Sequence, residues 1–270
     1  MSPTPSDDDA AAAAPPPRLT RSLQGKVAIV TGAGAQGRAI GNGRAAALLL
    51  AEAGCAVVCV DVSEAAAQTT AAMIGEESGG GGRAVAVAAD VADEEACGRV
   101  VREALRCFGR VDVLVNNVGV MGARGTATEV DMAAWAEGMR VNVASMVMMA
   151  KAAIPAMEKN DPADNDGFYR GAIVNVGSVA GLRGGTPSLL YPTAKGAAVN
   201  MTRAMAFHHA AQGIRVNCVC PGMLYTPMMY GSGMTPEMRE ARRNRSLLKT
   251  EGNGWDAGAA VRFLAGNESR

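Results

Sequence analysis

The composition of this chain favours one globular domain and excludes several classes of partner. It has 270 residues, of which 49% are hydrophobic, 19% are charged and 4% are aromatic, and its formal net charge is zero. A chain of this length and apolar content can bury one substantial core. Without a basic excess or many aromatic residues, it lacks the surfaces by which proteins bind nucleic acids, and no apolar run is long enough to cross a membrane.

The cysteines and histidines give no indication of a metal site. The six cysteines show no Cys-x-x-Cys spacing, and several stand inside apolar runs such as residues 55–60. Cysteines in such runs are typical of reduced thiols packed as small hydrophobic side chains in a cytoplasmic protein. His208 and His209 are adjacent and have no third ligand near them in sequence. We therefore expect a cytoplasmic protein without a bound metal.

Residues 1–22 are predicted to form a disordered tail. They contain three consecutive aspartates, a run of alanines and three consecutive prolines, a composition that buries too little apolar surface to fold. The acidic triplet stands where a secretory signal requires positive charge, and it also disfavours a mitochondrial transit peptide. The folded domain is therefore expected over residues 23–270.

Beyond the tail, short β-branched runs alternate with alanine-rich stretches of helical character. This alternation predicts an α/β fold, a Rossmann-like doubly wound parallel sheet in a three-layer α/β/α single domain, with ligands outside the carboxyl ends of the strands. Strands are predicted near residues 26–31, 56–61, 84–89, 111–116, 171–177 and 214–220. Helices are predicted near residues 43–53, 63–77, 93–108, 131–158 and 190–211. Surface loops are predicted at the glycine run 79–82 and the polar segment 158–170.

The loop between the first strand and the first helix is the candidate phosphate site. Glycines let the backbone approach a pyrophosphate, whose charge is met by free amide groups at the start of the helix. Glycines placed between a strand and a helix are a stronger indication than glycines alone. The sequence leaves open which of Gly34, Gly37 and Gly41 contact the phosphates. The candidate residues of this loop are Gly32, Gly34, Gly37, Gly41 and Gly43.

Asp61, at the end of the second predicted strand, indicates the cofactor. A carboxylate there accepts hydrogen bonds from both hydroxyls of an adenine ribose and repels a 2′-phosphate, so NAD is predicted in preference to NADP. In the alternative interpretation, Asp61 caps the helix that begins near Ser63. Arg38 and Arg44 precede it in the glycine loop and can neutralise a 2′-phosphate, so NADP stays open.

The segment from Ser178 to Lys195 holds a candidate acid–base site for hydride transfer. Tyr191 and Lys195 are four residues apart and share one face of a predicted helix, so the lysine cation can lower the pKa of the phenol. Ser178 stands thirteen residues before Tyr191, at the end of a predicted strand, which places its hydroxyl at the mouth of the sheet. A tyrosine and a lysine at this spacing also occur by chance on ordinary helix faces.

Together these motifs resemble those of the short-chain dehydrogenase/reductase family, over residues 24–266. The resemblance implies an NAD(P)-dependent oxidoreductase that interconverts a secondary alcohol and a ketone by hydride transfer. It implies that Tyr191 transfers the proton and that Ser178 hydrogen-bonds the oxygen of the substrate. It also implies that Lys195 tunes the pKa of the tyrosine and binds the nicotinamide ribose. It further implies that Asn142 kinks the long helix and holds a water that links Lys195 to solvent. Alternatively, Asn142 is a helix asparagine whose amide is satisfied by backbone carbonyls.

The resemblance implies further cofactor contacts. Asp90 and Val91 match a pair that contacts adenine, for which helix capping is the alternative. Asn117 and Gly119 belong to a turn that braces the sheet beside the cofactor. A segment after the sixth strand matches the one that orients the nicotinamide amide. Its candidate contacts are Pro221, Gly222, Leu224 and Thr226.

The chain also departs from the family pattern. The pair Gly41 and Gly43 falls about five positions late, which indicates an enlarged loop. A methionine-rich lid is expected over residues 223–250. The C-terminal strand of the family is absent, which is expected to leave residues 214–220 as an unprotected edge and to alter any homo-oligomer. The alternative function is therefore a nucleotide-binding but catalytically impaired protein with an interaction or regulatory role.

Overall fold

The computed structural model describes residues 19–269, except 80, 82, 163–166, 168 and 232. Most of the predicted tail over residues 1–22 therefore lies outside the described residues, as do parts of the loops at 79–82 and 158–170. Residues 19–22 form neither helix nor strand, and the first strand begins at Val27.

Six parallel strands form one sheet in the described part of the chain, in the order β3-β2-β1-β4-β5-β6. The first half of the chain adds β2 and β3 on one side of β1, and the second half adds β4, β5 and β6 on the other side. Because the direction reverses between β1 and β4, a crevice opens at the carboxyl ends of these two strands. The predicted strands are confirmed, with ends that shift by at most two residues. They are β1 (Val27–Thr31), β2 (Ala56–Asp61), β3 (Ala84–Ala88), β4 (Val113–Asn116), β5 (Gly171–Val176) and β6 (Ile214–Val219).

Helices cover both faces of the sheet and complete the three layers. The helices are α1 (Asn42–Glu52), α2 (Glu64–Glu77), α3 (Glu94–Phe108), α4 (Met132–Met139), α5 (Ser145–Met157), α6 (Leu190–His209), α7 (Pro227–Tyr230), α8 (Pro236–Arg243) and α9 (Gly254–Ala265). One apolar cluster packs α3, α5 and α6 against one face, and a second packs α1, α2 and α9 against the other. The predicted α/β/α architecture is confirmed. Across the described residues, every helix is too short or too polar to cross a lipid bilayer.

The helix predicted over residues 131–158 is not continuous. A π-helical turn over Arg140–Ala144 separates α4 from α5. At this turn the side-chain Nδ2 of Asn142 donates to the carbonyl of Gly138 (2.8 Å), four residues earlier in the chain. A side chain that competes for a helix carbonyl widens the turn, and such π-turns are frequent at functional sites. The periodicity of the apolar residues did not reveal this interruption.

The outer strand β6 is fastened to the segment that follows α9. The Arg215 guanidinium donates to the carbonyls of Leu264 (3.0 Å), Gly266 (3.1 Å) and Ser269 (2.8 Å). It also lies 4.2 Å above the ring of Tyr169. Among the residues that the structure describes, no strand pairs with the outer side of β6. The arginine therefore ties β6 to the end of α9 and to the residues after it, while the outer side of β6 stays without a paired strand in the described part of the chain.

Candidate active site

Two adjoining cavities at the carboxyl ends of the strands bring most of the predicted site residues together. Most of these residues line the first cavity, a cleft of about 290 Å³. They are Gly32, Gly34, Gly41, Gly43, Asn117, Gly119, Ser178, Tyr191, Lys195, Pro221, Gly222, Leu224 and Thr226. The neighbouring cavity, of about 410 Å³, is lined by Asp61, Asp90 and Val91. Gly37 faces a third cavity of about 510 Å³ beside Asp61, and Asn142 is fully buried beneath the cleft.

Ser178 and Tyr191 meet at the centre of the cleft. Ser178 follows β5, and its hydroxyl oxygen accepts a hydrogen bond from the amide of Ala180 (3.1 Å). This contact orients the serine, and Tyr191 lines the same cleft. Burial raises the pKa of Tyr191, and the bond from Ser178 opposes that rise. The lowering of this pKa by Lys195, which the sequence predicted, stays a prediction.

Lys195 is buried directly behind the tyrosine. Its side chain is 3% exposed, and its Nζ donates to the carbonyl of Val176 at the end of β5 (2.8 Å). The same Nζ lies 5.8 Å from the centre of the Tyr191 ring. Burial lowers the pKa of Lys195 to about 8. The lysine is therefore held by the sheet, with its remaining N–H groups directed away from that carbonyl.

We expect the buried lysine to make stability rise with pH. Because folding lowers the pKa of Lys195 from 10.5 to about 8, the unfolded chain binds more protons between these values. Relative to Lys195→Met, the free energy of unfolding of the wild type should increase by about 2–3 kcal/mol between pH 7 and pH 10. Urea unfolding across this range checks the increase. Lys151→Met is the matched control, since Lys151 is an exposed lysine paired with Glu94; wild-type and Lys195→Met profiles that run parallel would contradict the expectation.

Gly119 separates Asn142 from Lys195. A Cβ at Gly119 would lie 3.0 Å from the Asn142 Oδ1 and 3.2 Å from the Lys195 Nζ, so the glycine leaves room for both. The Asn142 Oδ1 accepts from the amide of Val120 (3.0 Å), and its Nδ2 donates to the carbonyls of Val120 (3.0 Å) and Gly138. The amide is therefore satisfied by the backbone, as the alternative interpretation expected, and it also lies next to Lys195.

The glycines of the loop after β1 have different roles. A Cβ at Gly43 would lie 2.0 Å from the carbonyl oxygen of Gly32, so this glycine allows close packing of α1 on the loop. At Gly34 a Cβ would meet Asp61 Oδ2 at 2.7 Å. At Gly41 the nearest atom is 3.9 Å away, so this position borders open space. Gly37 has a φ of 50° and lies outside the main cleft.

The start of α1 fits a bound pyrophosphate. Its N-cap residue is Gly41, so no side chain caps the first amide groups, and the first turn carries no acidic residue. Amide groups at an uncapped helix start that faces a cleft are suited to an anion. With the bare backbone at Gly41, these groups provide a cradle in which NAD(P) phosphates would bind.

Arg44 was not recognised from the sequence as the residue that shapes this loop. It is fully buried, and its guanidinium donates to the carbonyls of Gly37 (2.6 Å) and Ala39 (2.7 Å) and to Thr70 Oγ1 (2.9 Å). Arg38 instead pairs with Glu76 on the surface (2.7 Å). Arg44 is therefore engaged inside the loop and Arg38 in an exposed ion pair, and whether either neutralises a 2′-phosphate stays a prediction.

Asp61 is held at the junction of the cavities. Its Oδ2 accepts from the amide of Gly34 (2.9 Å), and its Oδ1 accepts from the amide of Ser63 (3.0 Å). The N-cap of α2 is Ser63, not Asp61, which removes the simplest form of the capping alternative. Each carboxylate oxygen keeps a further acceptor site for a ribose hydroxyl.

The remaining predicted residues combine structural contacts with positions at the cavities. Asp90 Oδ1 accepts from the amide of Ala92 (3.0 Å), whereas the N-cap of α3 is Asp93. Asn117 Nδ2 donates to the carbonyls of Thr31 (3.1 Å) and Gly32 (2.9 Å), which fixes the turn after β4 against β1. Thr226 lines the cleft, and its side chain does not cap α7. These residues therefore brace the walls of the cleft.

Comparisons with known proteins agree with this geometry. Residues 34–270 match the family model described as enoyl-(acyl carrier protein) reductase. The chain is 35% identical to meso-2,3-butanediol dehydrogenase of Serratia marcescens, over 90% of this chain and 88% of that protein. It is 35% identical to cis-4-hydroxycyclohexanecarboxylate dehydrogenase of Sinomonas cyclohexanicum, over 89% of each. It also superposes on a dehydrogenase/reductase structure from Sinorhizobium meliloti 1021, with a TM-score of 0.79, 32% identity, and coverage of 92% and 90%. The chain therefore belongs to the short-chain dehydrogenase/reductase family and is an oxidoreductase acting on CH–OH groups.

Proposed function

We propose that the protein interconverts a secondary alcohol and a ketone with NAD(P), with Tyr191 as the acid–base group. The proposal is carried by the convergence of Ser178, Tyr191 and Lys195 in one cleft with the glycine loop. The relatives named as butanediol and hydroxycyclohexanecarboxylate dehydrogenases support this reaction class. The alternative of a catalytically impaired protein is not favoured, since the site retains all three side chains.

The residues of the cleft divide the chemistry between them. When bound, NAD(P) supplies the hydride acceptor for oxidation and the hydride donor for reduction. Tyr191 takes the hydroxyl proton of the alcohol during oxidation and returns a proton to the carbonyl oxygen during reduction. The Ser178 oxygen already accepts from the amide of Ala180, so its own O–H is available to donate to the substrate oxygen.

Lys195 and Asn142 support proton transfer at the tyrosine. Beyond its bond to Val176, the ammonium has further N–H groups, which we assign to the nicotinamide ribose. Its positive charge favours the phenolate form of Tyr191 as that group loses its proton. We assign to Asn142, which like Lys195 lies next to Gly119, a water that connects Lys195 to solvent.

A screen of secondary alcohols tests the proposed reaction. Steroids, polyols, 3-hydroxyacyl thioesters and cyclic terpenols are each incubated with the protein and NAD, and NADH is followed by absorbance. We expect NADH to form with at least one class, because the proton acceptor and the cofactor cradle are both present. A protein that binds NADH and yet oxidises none of these alcohols, and reduces none of the matching ketones, would support the catalytically impaired alternative.

We further propose that NAD is preferred to NADP. Asp61 carries the preference, and Arg38 and Arg44 are engaged elsewhere, so neither offsets repulsion between this carboxylate and a 2′-phosphate. In fluorescence titrations, NADH should bind more tightly than NADPH by a factor of roughly ten or more. Asp61→Ser should bring the dissociation constants of the two cofactors closer together. Equal affinities in the wild-type protein would contradict this preference. Asp131→Ser is the control, since Asp131 caps α4 away from both cavities.

A further inference from the structure

A separate cavity of about 330 Å³ adjoins the catalytic cleft on the side of Ser178. Gly222 lines both spaces, and Val179 of this cavity directly follows the serine. The amide of Val179 donates to the carbonyl of Pro221 (3.0 Å), which holds the two walls together at their junction. A substrate whose oxygen contacts Ser178 therefore has room to extend into this cavity.

The walls of this cavity are partly apolar and partly cationic. Val179, Leu182 and Met223 supply apolar surface, and Arg183 and Arg245 supply two guanidinium groups. Among the described residues, the lining includes no aspartate or glutamate. Such a wall suits a molecule with an apolar body and an anionic end.

The arginines of the lid differ in how their charges are compensated. Arg239 pairs with Glu251, and Arg243 pairs with Glu240 (3.4 Å). Within the part of the chain that the structure describes, neither Arg183 nor Arg245 forms an ion pair. Both arginines that line this cavity therefore carry a charge that no described carboxylate pairs, whereas Arg242, a lid arginine that also forms no ion pair, lines the catalytic cleft.

Arg245 is also held in position over the cavity. Its Nη2 donates to the carbonyl of Gly185 (3.2 Å), which joins the segment after α8 to the loop before α6. A guanidinium has five N–H donors, so this bond leaves the others for a ligand. The bond places the arginine across the cavity from the segment that carries Arg183.

We propose that this cavity binds an oxyanion, a carboxylate or a sulfonate, at the end of the substrate remote from the reacting carbon. The substrate is then a hydroxy acid or its oxo counterpart, with an apolar body against Leu182 and Met223. The inference rests on the proposed function for the identity of the reacting carbon. Anion binding itself does not depend on turnover.

Calorimetric titration with unreactive probes tests the anion site directly. NADH-saturated protein is titrated with cyclohexanecarboxylate, cyclohexanesulfonate and the neutral cyclohexanecarboxamide, none of which carries a reacting alcohol or ketone. At least one anion should bind roughly tenfold more tightly than the amide, because a guanidinium makes charge-assisted hydrogen bonds only with the anions. The tighter of the two anions identifies which oxyanion the cavity accepts.

Substitutions locate the binding to the two arginines. The double variant Arg183→Gln/Arg245→Gln should lose the preference for the anion, and Arg245→Lys should retain part of it, since the charge remains. Arg243→Gln, which removes a neighbouring arginine paired with Glu240, should keep the full preference. Equal binding of anion and amide by the wild type, no binding of any probe, or a preference that survives in the double variant would overturn the proposal. Failure of the alcohol screen alongside an intact anion preference would overturn the proposed function instead.

Discussion

Replacing Tyr191 by phenylalanine is expected to remove turnover while NADH binding stays intact. Phenylalanine keeps the ring that lines the cleft and removes only the phenolic hydroxyl. Loss of the group that transfers the proton should lower kcat by a factor of about 10²–10⁴. The rate of NADH formation measures this loss, and NADH fluorescence measures cofactor binding.

Tyr169→Phe is the matched control for this substitution. It removes one phenolic hydroxyl, which bonds Asn267 Oδ1 (2.5 Å). Tyr169 stands just before the amino end of β5, whereas the cleft lies at the carboxyl end of that strand. We expect it to cost about 1 kcal/mol of stability and to leave kcat unchanged. If Tyr191→Phe retained turnover within tenfold of the wild type, proton transfer could not be assigned to Tyr191.

Arg44→Met is expected to destabilise the protein by about 2–4 kcal/mol and to weaken NADH binding. Methionine matches the length of the aliphatic stem but leaves the carbonyls of Gly37 and Ala39 and the hydroxyl of Thr70 without their donor. The loop that these carbonyls belong to faces the start of α1. Loosening the loop should therefore misplace the backbone that would bind the phosphates.

Arg38→Met distinguishes this buried role from the loss of any arginine in the loop. Arg38 is 61% exposed and pairs with Glu76, which is 58% exposed, so its removal should change stability by less than about 1 kcal/mol. Chemical unfolding measures both variants, and fluorescence titration measures their NADH affinity. Equal stability losses for Arg44→Met and Arg38→Met would show that the buried network does not organise the loop.

The sheet was predictable because its determinants are local. The central strands are buried on both faces and read as continuous β-branched runs, so Val27–Thr31 and Ala56–Asp61 are found almost as predicted. The spacing from Ser178 through Tyr191 to Lys195 places each residue at an end or on a face of a regular element. For that reason the structure brings all three into one cleft.

Other features depend on contacts that sequence spacing does not encode. The partners of Arg44 are carbonyls whose direction is fixed only when the loop has folded. The sequence therefore does not predict that this arginine is buried and holds the loop together. At the π-turn, the Asn142 side chain competes for the carbonyl of Gly138 and is also held by Val120, which is distant in sequence. Arg183 and Arg245 meet at one cavity only because the lid packs against the segment after Ser178.

Transfer of an isotopic label tests the central claim most directly. The alcohol found in the screen is deuterated at its carbinol carbon and incubated with NAD and either the wild-type protein or Tyr191→Phe, and the reduced cofactor is examined by mass spectrometry. With the wild-type protein, each molecule of NADH should carry one deuterium from the alcohol, and the variant should form almost none. Unlabelled NADH, or equal label transfer by Tyr191→Phe, would contradict hydride transfer from a secondary alcohol with Tyr191 as the acid–base group.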